Sequence, residues 1–420
     1  MKVAVIGSGC SGLAATWALN EYSGHQVDLY EADATPGGHA HSVKFINPQN
    51  GKEVMVDTAF MVFTPSAYPN FTRLLRLLNV NVLDTSMSWS VTRNEGEFEW
   101  ASHSVFTLFS QSANLFNSRL WRMLWDIMRF NASARRFIAT CETSDTVNNM
   151  SIGDYLNLHG YSDTFRDDYL LPLTAAIWST SPNVCANDYT MQSVLRYLHN
   201  HHMLQIFGKP VWRTIAGGRH VHHYVHQITS NLPPDALKLA TRVSSVAPTI
   251  KDGKQALTVT TESGVSKVYD HVIMACQSYA SRDILKKGGF ITPEEERILG
   301  GFSWTKNEAV LHADESALAL QKDMPSIQNK RGISFAGAWM GFAFHEDGIT
   351  AGLEAATALG VRLPFELSYP DRRVKLAWLA EVFDVLEFIR RLLSVMCCAL
   401  YSGFWSIDPV VVMVPQSKAA

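Results

Sequence analysis

The chain has 420 residues, of which 47% are hydrophobic, and its formal net charge at pH 7 is −3. This length exceeds the size at which one hydrophobic core keeps growing, so two interleaved domains are expected. No block of lysine or arginine runs along the sequence, which removes the electrostatic case for nucleic acid as a partner.

The N-terminus does not resemble a secretory signal. The apolar run 3–6 breaks into glycines too early for the apolar core of such a signal. The six cysteines have neither the spacing of metal ligands nor the density of a disulfide scaffold. We therefore predict a cytoplasmic protein that begins to fold at its first residues.

The first predicted strand, residues 2–6, is followed by a turn with the pattern G-x-G-x-x-G and then by a helix. In such a turn the first glycine permits the bend, the second lets a pyrophosphate approach the backbone, and the third lets the helix pack on the strand. The N–H groups at the start of the helix then face the phosphates. The residues predicted to contact the nucleotide here are Gly7, Gly9, Cys10, Ser11 and Gly12.

A second strand is predicted at 27–30, and Glu31 stands at its end. An acidic residue at this distance from the turn takes the ribose hydroxyls of the adenosine. A glycine-rich turn without a ligand is the alternative, but strand, turn, helix, strand and acid occur here in the required order. The sequence therefore predicts a dinucleotide site.

A pair of glycines, Gly37 and Gly38, follows and is succeeded by His39. The pair resembles the extended fingerprint of FAD proteins in the amine oxidase and phytoene desaturase superfamily. In that superfamily the loop passes close to the flavin end of the cofactor, so the resemblance implies FAD contacts at Gly38 and His39. An ordinary loop turn is the alternative.

Strands are predicted at 237–246, 257–261 and 268–275. In the same superfamily a valine at the position of Val243 contacts the adenine, and the strand that ends at Ala275 returns to the nucleotide domain. A plain core valine is the alternative for Val243.

Near the end of the chain an apolar strand, 332–337, ends at a glycine, and a helix opens at 345–353. Backbone donors at such a helix start suit a pyrophosphate or the flavin carbonyl oxygens. The pattern resembles the closing FAD motif of the superfamily. The cofactor contacts that this implies are Gly337, Glu346, Asp347 and Gly348.

More narrowly, the run 336–348 resembles a subgroup of amine-oxidase-like flavoproteins described as NAD/FAD-binding. The same subgroup is matched by the segments 56–60, 68–70, 172–179, 212–218 and 311–314. The resemblance implies an α/β fold, in which an FAD-binding Rossmann-like domain of the glutathione reductase type is interleaved with an α+β substrate domain. The implied bounds are 1–60, 210–285 and 330–358 for the FAD-binding domain, 61–209 and 286–329 for the substrate domain, and 359–420 for a helical tail.

The sequence departs from the family in one place. Only eighteen residues, 315–332, lie between Asp314 and Ile333, where relatives have a long stretch that supplies strands to the substrate domain. The substrate domain is therefore predicted to be shortened.

Residues 60–230 are rich in aromatic side chains and mainly helical by periodicity. Such a stripe is usually core packing, but it is also what would line a pocket for a lipophilic substrate. No general acid or base identifies itself, which is expected where a flavin carries the hydride. The catalytic candidates are Trp178 and His345, with helix packing and a helix cap as their respective alternatives.

Four histidines, His220, His222, His223 and His226, lie close together, and two of them share a helix face at the i, i+4 spacing of metal ligands. No carboxylate or cysteine joins them at ligand spacing. A polar helix face is therefore preferred, and no metal is predicted.

In the tail, 374–388 has apolar residues at helical spacing, and Arg390 and Arg391 precede the apolar run 392–405. That run is too short to span a bilayer. One hypothesis is peripheral contact with an intracellular membrane through 390–406, the arginines lying at the head groups. The other is a helix packed on the protein itself or in a dimer contact.

Two functions follow as hypotheses. The first is an FAD-dependent oxidoreductase that oxidises, desaturates or isomerises a lipophilic small molecule, as relatives in the superfamily do. The second, motivated by the shortened segment, is a flavin-binding protein that has lost turnover and serves as a partner or scaffold.

Overall fold

The computed structural model describes the chain at residues 1–46, 53–85, 87, 89–93, 96–102, 105–109, 111–141, 150–178, 180–204, 211–216, 220–302, 331–336, 345–369 and 379–402. The strands are β1 (Lys2–Ile6), β2 (Gln26–Tyr30), β3 (Ser42–Ile46), β4 (Glu53–Asp57), β5 (Val82–Thr85), β6 (Ser90–Arg93), β7 (Phe98–Ala101), β8 (Trp212–Ile215), β9 (Leu237–Lys238), β10 (Val243–Lys251), β11 (Lys254–Thr261), β12 (Ser266–Tyr269), β13 (His271–Met274) and β14 (Ile333–Phe335).

The helices are α1 (Cys10–Tyr22), α2 (Pro69–Leu77), α3 (Val105–Leu108), α4 (Ser118–Cys141), α5 (Ile152–His159), α6 (Asp163–Phe165), α7 (Leu171–Trp178), α8 (Pro182–Asp188), α9 (Met191–Asn200), α10 (His222–Ser230), α11 (Ser278–Lys287), α12 (Pro293–Gly300), the closing helix (His345–Ala358) and the C-terminal helix (Leu379–Ser402). A π-helical turn, Arg166–Leu170, joins α6 to α7.

A parallel sheet carries the N-terminal fold, with strand order β14–β13–β1–β2–β9. Its central strand, β1, is an apolar run whose Val3, Ala4 and Val5 are fully buried, as expected for a strand covered on both faces. The order of these strands across the sheet is that of a dinucleotide-binding α/β domain. The predicted fold class, an α/β FAD-binding Rossmann-like domain, is confirmed.

An antiparallel meander, β10–β11–β12, lies between β9 and β13 in the sequence and packs on the sheet. Its Tyr269 hydroxyl lies 2.7 Å from that of Tyr30 on β2 and also donates to the carboxylate of Asp28. Strand β2 of the central sheet and the meander are thus joined by a polar contact as well as by apolar packing.

Helix α12 also packs on the meander side of the sheet. It begins with a capping box, in which the Thr292 hydroxyl and the Glu295 carboxylate each accept a backbone N–H of the other residue. Ile298 and Leu299 are fully buried in one cluster with meander residues such as Leu257. Residues 286–302, placed in the substrate domain from the sequence, therefore pack with the nucleotide domain.

Residues 359–369 pack on α1 rather than continuing into the tail. Val361 is buried in the same cluster as α1 and β1. The ring of Phe365 stacks on that of Trp17, with 6.5 Å between their centroids. The first residues of the predicted tail thus pack against the nucleotide domain.

A second hydrophobic cluster is built mainly from α4, α5, α7 and α9. Ser151, Ser162, Ser181 and Thr190 each cap the N-terminus of the helix that follows, accepting a backbone N–H. Three antiparallel pairs, β3–β4, β5–β8 and β6–β7, complete the described strands. In the part of the chain that the structure describes, no helix has the length and apolar character needed to cross a membrane.

Candidate functional site

The turn between β1 and α1 has the geometry that its glycines predict. Gly7 has a φ of +103°, and a Cβ placed on it would lie 2.7 Å from the carbonyl oxygen of Ala275. A Cβ on Gly12 would lie 1.8 Å from the carbonyl oxygen of Gly7. Both positions exclude a side chain, Gly7 because the end of β13 lies against it and Gly12 because α1 lies against the turn.

Gly9 differs from these two glycines. It precedes α1 with a φ of −63°, and a Cβ placed on it would meet no protein atom within 4 Å. The first-turn N–H groups of α1, those of Cys10, Ser11 and Gly12, have no carbonyl of their own helix to bond. The turn is therefore a cradle with free space over Gly9 and donors beside it, which fits a pyrophosphate.

A second helix packs beside this cradle. The closing helix packs along α1, and a Cβ on Gly352 would lie 2.0 Å from the carbonyl oxygen of Ser11. Asp347, half-buried in the first turn of the closing helix, acts electrostatically on the Cys10 thiol. Burial raises the pKa of Cys10 to about 12, so its thiol is neutral and is no nucleophile.

Glu31 is fixed at the carboxyl end of β2. One carboxylate oxygen accepts the backbone N–H of Ser8 at 2.9 Å and the Ser8 hydroxyl, and the other accepts the N–H of Asp33 at 2.9 Å. The acid is thereby held beside the glycine turn, where the ribose of a dinucleotide lies in this fold. Its contact with the ribose stays a prediction.

The Gly37–Gly38 pair is joined to the same turn. The N–H of Gly37 donates to the carbonyl of Ser8 at 3.1 Å, and the two glycines have φ values of +122° and +55°. A Cβ on Gly38 would lie 3.1 Å from the Cα of Gly9. A Cβ on Gly37 would lie 2.7 Å from the carbonyl oxygen of Ala40, so Gly37 excludes a side chain, while Gly38 allows the close approach to Gly9. Gly38 and His39 are exposed.

Glu346 has a partner that the sequence did not indicate. Its two carboxylate oxygens accept the backbone N–H groups of Asn70 and Phe71, each at 2.8 Å, at the start of α2. Burial raises its pKa to about 7, although both hydrogen bonds oppose that shift. Glu346 thus ties α2 to the closing helix, and its carboxylate is directed at α2 rather than at the glycine turn.

The remaining predicted contacts are placed as follows. Gly348 is buried within the closing helix. Val243 is buried in the meander cluster, at an irregularity in its pairing with β11. Gly337 and most of the shortened segment 315–332 lie outside the described residues.

His345 is buried in an aromatic cluster. Its ring stacks on Phe60, with 4.0 Å between centroids, and its Nε2 lies 2.7 Å from the hydroxyl of Tyr224. Burial lowers its pKa to about 3, so the imidazole is neutral. It begins the closing helix and is buried from solvent.

Trp178 lies in the second hydrophobic cluster, the one built from α4, α5, α7 and α9. Its ring lies against those of Tyr189 and Tyr197, at centroid distances of 5.5 Å and 5.1 Å. The structure therefore does not bring Trp178 and His345 together. The position of Trp178 among these rings agrees with the alternative of helix packing.

A row of ring contacts connects the two candidates. His201 lies 4.0 Å from Tyr197 and 5.6 Å from Tyr68 by centroids, and Tyr68 lies 6.0 Å from Phe60. No motif in the sequence points to His201 or Tyr224. Tyr68 lies in the segment 68–70, which was noted only for its resemblance to the family.

The protonation state of His201 follows from its partners. Nδ1 lies 2.9 Å from the carbonyl oxygen of Tyr197, which can only accept, so Nδ1 carries the hydrogen. Nε2 then accepts from the Tyr68 hydroxyl at 3.3 Å. Burial lowers the pKa of His201 to about 4, so the ring is a neutral link between the two domains.

Acid is expected to destabilise the protein through His201. Because its folded pKa lies below the ordinary 6.5, its contribution to stability is complete above pH 6.5 and is lost as pH falls towards 4. The lost amount is about 3 kcal/mol. Urea unfolding of wild type and His201→Gln should therefore show a stability difference that shrinks on acidification. The exposed His226→Gln is the control, and parallel pH curves for wild type and His201→Gln would contradict the assignment.

The histidines at the start of α10 have few partners that could share a metal ion with them. His222 and His41 rings lie 6.1 Å apart, and Nδ1 of His220 lies 3.8 Å from the carboxylate of Asp57. Within the described ranges, no three His, Cys, Asp or Glu side chains are grouped closely enough to hold a metal ion.

The parallel sheet, the glycine cradle and the acid at the end of β2 are the features of a dinucleotide-binding α/β protein. The family model for flavin-containing amine oxidoreductases matches residues 10–312, and the chain belongs to this family. Comparison with curated protein sequences gave no match.

Solved structures with a similar fold come from enzymes of several activities. A putrescine oxidase bound to putrescine has a TM-score of 0.57 at 14% identity, over 86% of this chain and 100% of its own. A fatty acid isomerase from P. acnes has a TM-score of 0.58 at 11% identity, over 86% and 98%. A putative protoporphyrinogen oxidase from an Exiguobacterium species has a TM-score of 0.54 at 10% identity, over 85% and 98%.

The family resemblance predicted from the motifs is thus confirmed. The chain is an FAD-dependent flavoprotein oxidoreductase, as predicted for both the cofactor and the enzyme class. The three structural likenesses show the shared fold.

Proposed function

We propose that the chain oxidises, desaturates or isomerises a lipophilic small molecule by hydride transfer to or from FAD. The observation that carries this proposal is the row of uncharged aromatic side chains between the cofactor cradle and the second hydrophobic cluster. It includes Phe60, Tyr68, Tyr197 and His201.

The described residues fit FAD. The cradle at Gly9 and the first turn of α1 would hold the pyrophosphate, Glu31 the ribose, and the start of the closing helix the flavin side. When bound, FAD supplies the group that accepts or returns the hydride. The protein's own part is to orient the two reactants and to exclude water.

The electrostatics of the aromatic row favour an apolar substrate. Burial lowers the pKa of His201 and His345, and it raises the pKa of Tyr68 and Tyr197, so all four side chains are neutral near pH 7. A charged substrate would find no ionised partner among these four groups. An apolar molecule would contact aromatic faces.

The structures that share this fold include enzymes named for two kinds of substrate, small amines and a fatty acid. Their names include putrescine oxidase, cyclohexylamine oxidase and fatty acid isomerase. A small amine therefore stands beside a lipid chain as a candidate to be tested, and the neutral aromatic row favours the lipid chain.

The test is anaerobic reduction of the purified yellow protein. Bleaching of the oxidised flavin spectrum by unsaturated fatty acids or polyenes, with slower bleaching by small amines, is the expected result. An isomerase would leave the oxidised spectrum unchanged at the end, so product analysis by mass spectrometry and NMR accompanies the titration. Yellow protein that converts none of these compounds would favour the second hypothesis, a flavin-binding partner or scaffold.

A further inference from the structure

The C-terminal helix is held to the protein by its polar side. Glu387, which is buried, accepts the indole N–H of Trp125 on α4 at 2.9 Å and is paired with Arg390 and Arg391 on its own helix. Asp384 is paired with Arg136 of α4 at 2.7 Å. Burial acts to raise the pKa of Glu387, but its hydrogen bonds from Arg390, Trp125 and Arg391 outweigh burial and hold that pKa far below its usual range.

The opposite face of this helix is apolar and exposed. Residues spaced as one helix face carry side chains that are between 42% and 64% exposed. Among the side chains described here, 379–394, the charged residue on that face is Glu381, in the first turn. The exposed apolar residues are Val382, Val385, Leu386, Phe388, Ile389, Leu392 and Leu393. This arrangement inverts the usual one for a surface helix, whose apolar stripe faces the core.

Positive charge borders the apolar face. Ion pairs join α4 to the C-terminal helix and also form inside each of the two helices. Five arginines and three carboxylates take part in them, so this set of side chains carries an excess of positive charge. The arginines are Arg122, Arg129, Arg136, Arg390 and Arg391, and the carboxylates are Asp126, Asp384 and Glu387. Arg390 and Arg391 are 43% and 54% exposed despite these pairs.

We propose that this face binds the surface of a membrane that contains anionic lipids, with the C-terminal helix lying in the plane of the interface. A helix with an apolar face bordered by arginines is the pattern of interfacial binding, in which the apolar side chains enter the acyl boundary and the guanidinium groups meet phosphates. Trp121, half exposed one turn before Trp125 on α4, adds an aromatic side chain suited to that boundary.

The positive charge beside the apolar face favours a membrane over a second copy of the chain as the partner of that face. A two-fold dimer through this face would bring two copies of the arginine cluster towards each other, because both partners present the same surface. Like charges brought together in this way oppose association. Anionic headgroups instead neutralise the excess charge.

The experiment is flotation of the full-length, FAD-loaded protein with lipid vesicles. Vesicles of phosphatidylcholine alone are compared with vesicles of phosphatidylcholine and phosphatidylglycerol in equal amounts. We expect binding to the anionic vesicles, weaker binding to the neutral ones, and a loss of binding at high salt. Phe388→Asp combined with Leu392→Asp is expected to reduce anionic binding at least about tenfold, because it places charge where the acyl boundary lies.

The control is Ile250→Asp, which changes an apolar residue that is even more exposed, at the far end of β10. Flavin absorbance and far-UV circular dichroism verify that each variant is folded. No binding to anionic vesicles, or equal loss in Ile250→Asp, would overturn the proposal. It is also overturned if sedimentation shows a dimer that the Phe388 and Leu392 changes dissociate while vesicles bind none of the proteins.

Discussion

Replacing Gly9 by valine is expected to abolish FAD binding while the protein stays folded. The Cβ at this position meets no protein atom within 4 Å, so a side chain attached there enters open space. The valine side chain would occupy the space through which a pyrophosphate reaches the first-turn N–H groups of α1. We expect the affinity for FAD to fall by at least about 100-fold, equivalent to about 3 kcal/mol.

The measurement is titration of FAD into apoprotein, followed by flavin fluorescence and calorimetry. Gly24→Val is the matched control, because Gly24 also has no atom within 4 Å of its Cβ position and follows α1 at the opposite end from the cradle. Its affinity for FAD should equal that of the wild type. Retention of FAD by a folded Gly9→Val protein would refute the placement of the pyrophosphate.

The nucleotide domain could be predicted from the sequence because its chemistry is local. A tight turn that admits a phosphate needs glycines at fixed spacing, and Gly7, Gly9 and Gly12 follow one another within six residues. The apolar run of β1 is equally local. The structure adds that the three glycines are required for different reasons, two for packing and one for open space.

The role of Glu346 could not be predicted in this way. Its hydrogen-bond partners, the amides of Asn70 and Phe71, lie more than 270 residues earlier in the chain. A carboxylate at a helix start fits a cofactor contact and a bridge between helices equally well, and only tertiary packing distinguishes them. The same holds for α12, whose apolar residues fit either domain until their neighbours are known.

The C-terminal helix shows a further limit of periodicity. Its spacing predicts an amphipathic helix, but an amphipathic pattern does not reveal which face meets the protein. The buried contact is made by Glu387 because α4 offers arginines and the indole N–H of Trp125. Those partners come from a helix that ends more than 200 residues earlier in the sequence.

Replacing Gly352 by alanine is expected to destabilise the fold itself. A Cβ at this position would lie 2.0 Å from the carbonyl oxygen and 2.9 Å from the carbonyl carbon of Ser11, which are backbone atoms that cannot rotate away. The closing helix would have to move off α1, across the most extensive helix–helix contact of the nucleotide domain. Alanine favours a helix over glycine by about 1 kcal/mol, whereas overpacking of this kind costs about 3 kcal/mol, so the net effect is a loss of stability.

Urea unfolding of the two purified proteins measures this loss, and Gly300→Ala provides the comparison. Gly300 also lies in a helix, but its Cβ would meet only the flexible side chain of Arg282, at 3.4 Å, so that variant should be as stable as the wild type or slightly more stable. The Gly352→Ala protein should also lose FAD more readily, because the closing helix would be displaced against Ser11, which lies in the first turn of α1 beside the cradle. Equal stability of both variants would mean that the closing helix does not pack on α1 at the distance described, and the second helix start would then have to be removed from the cofactor site.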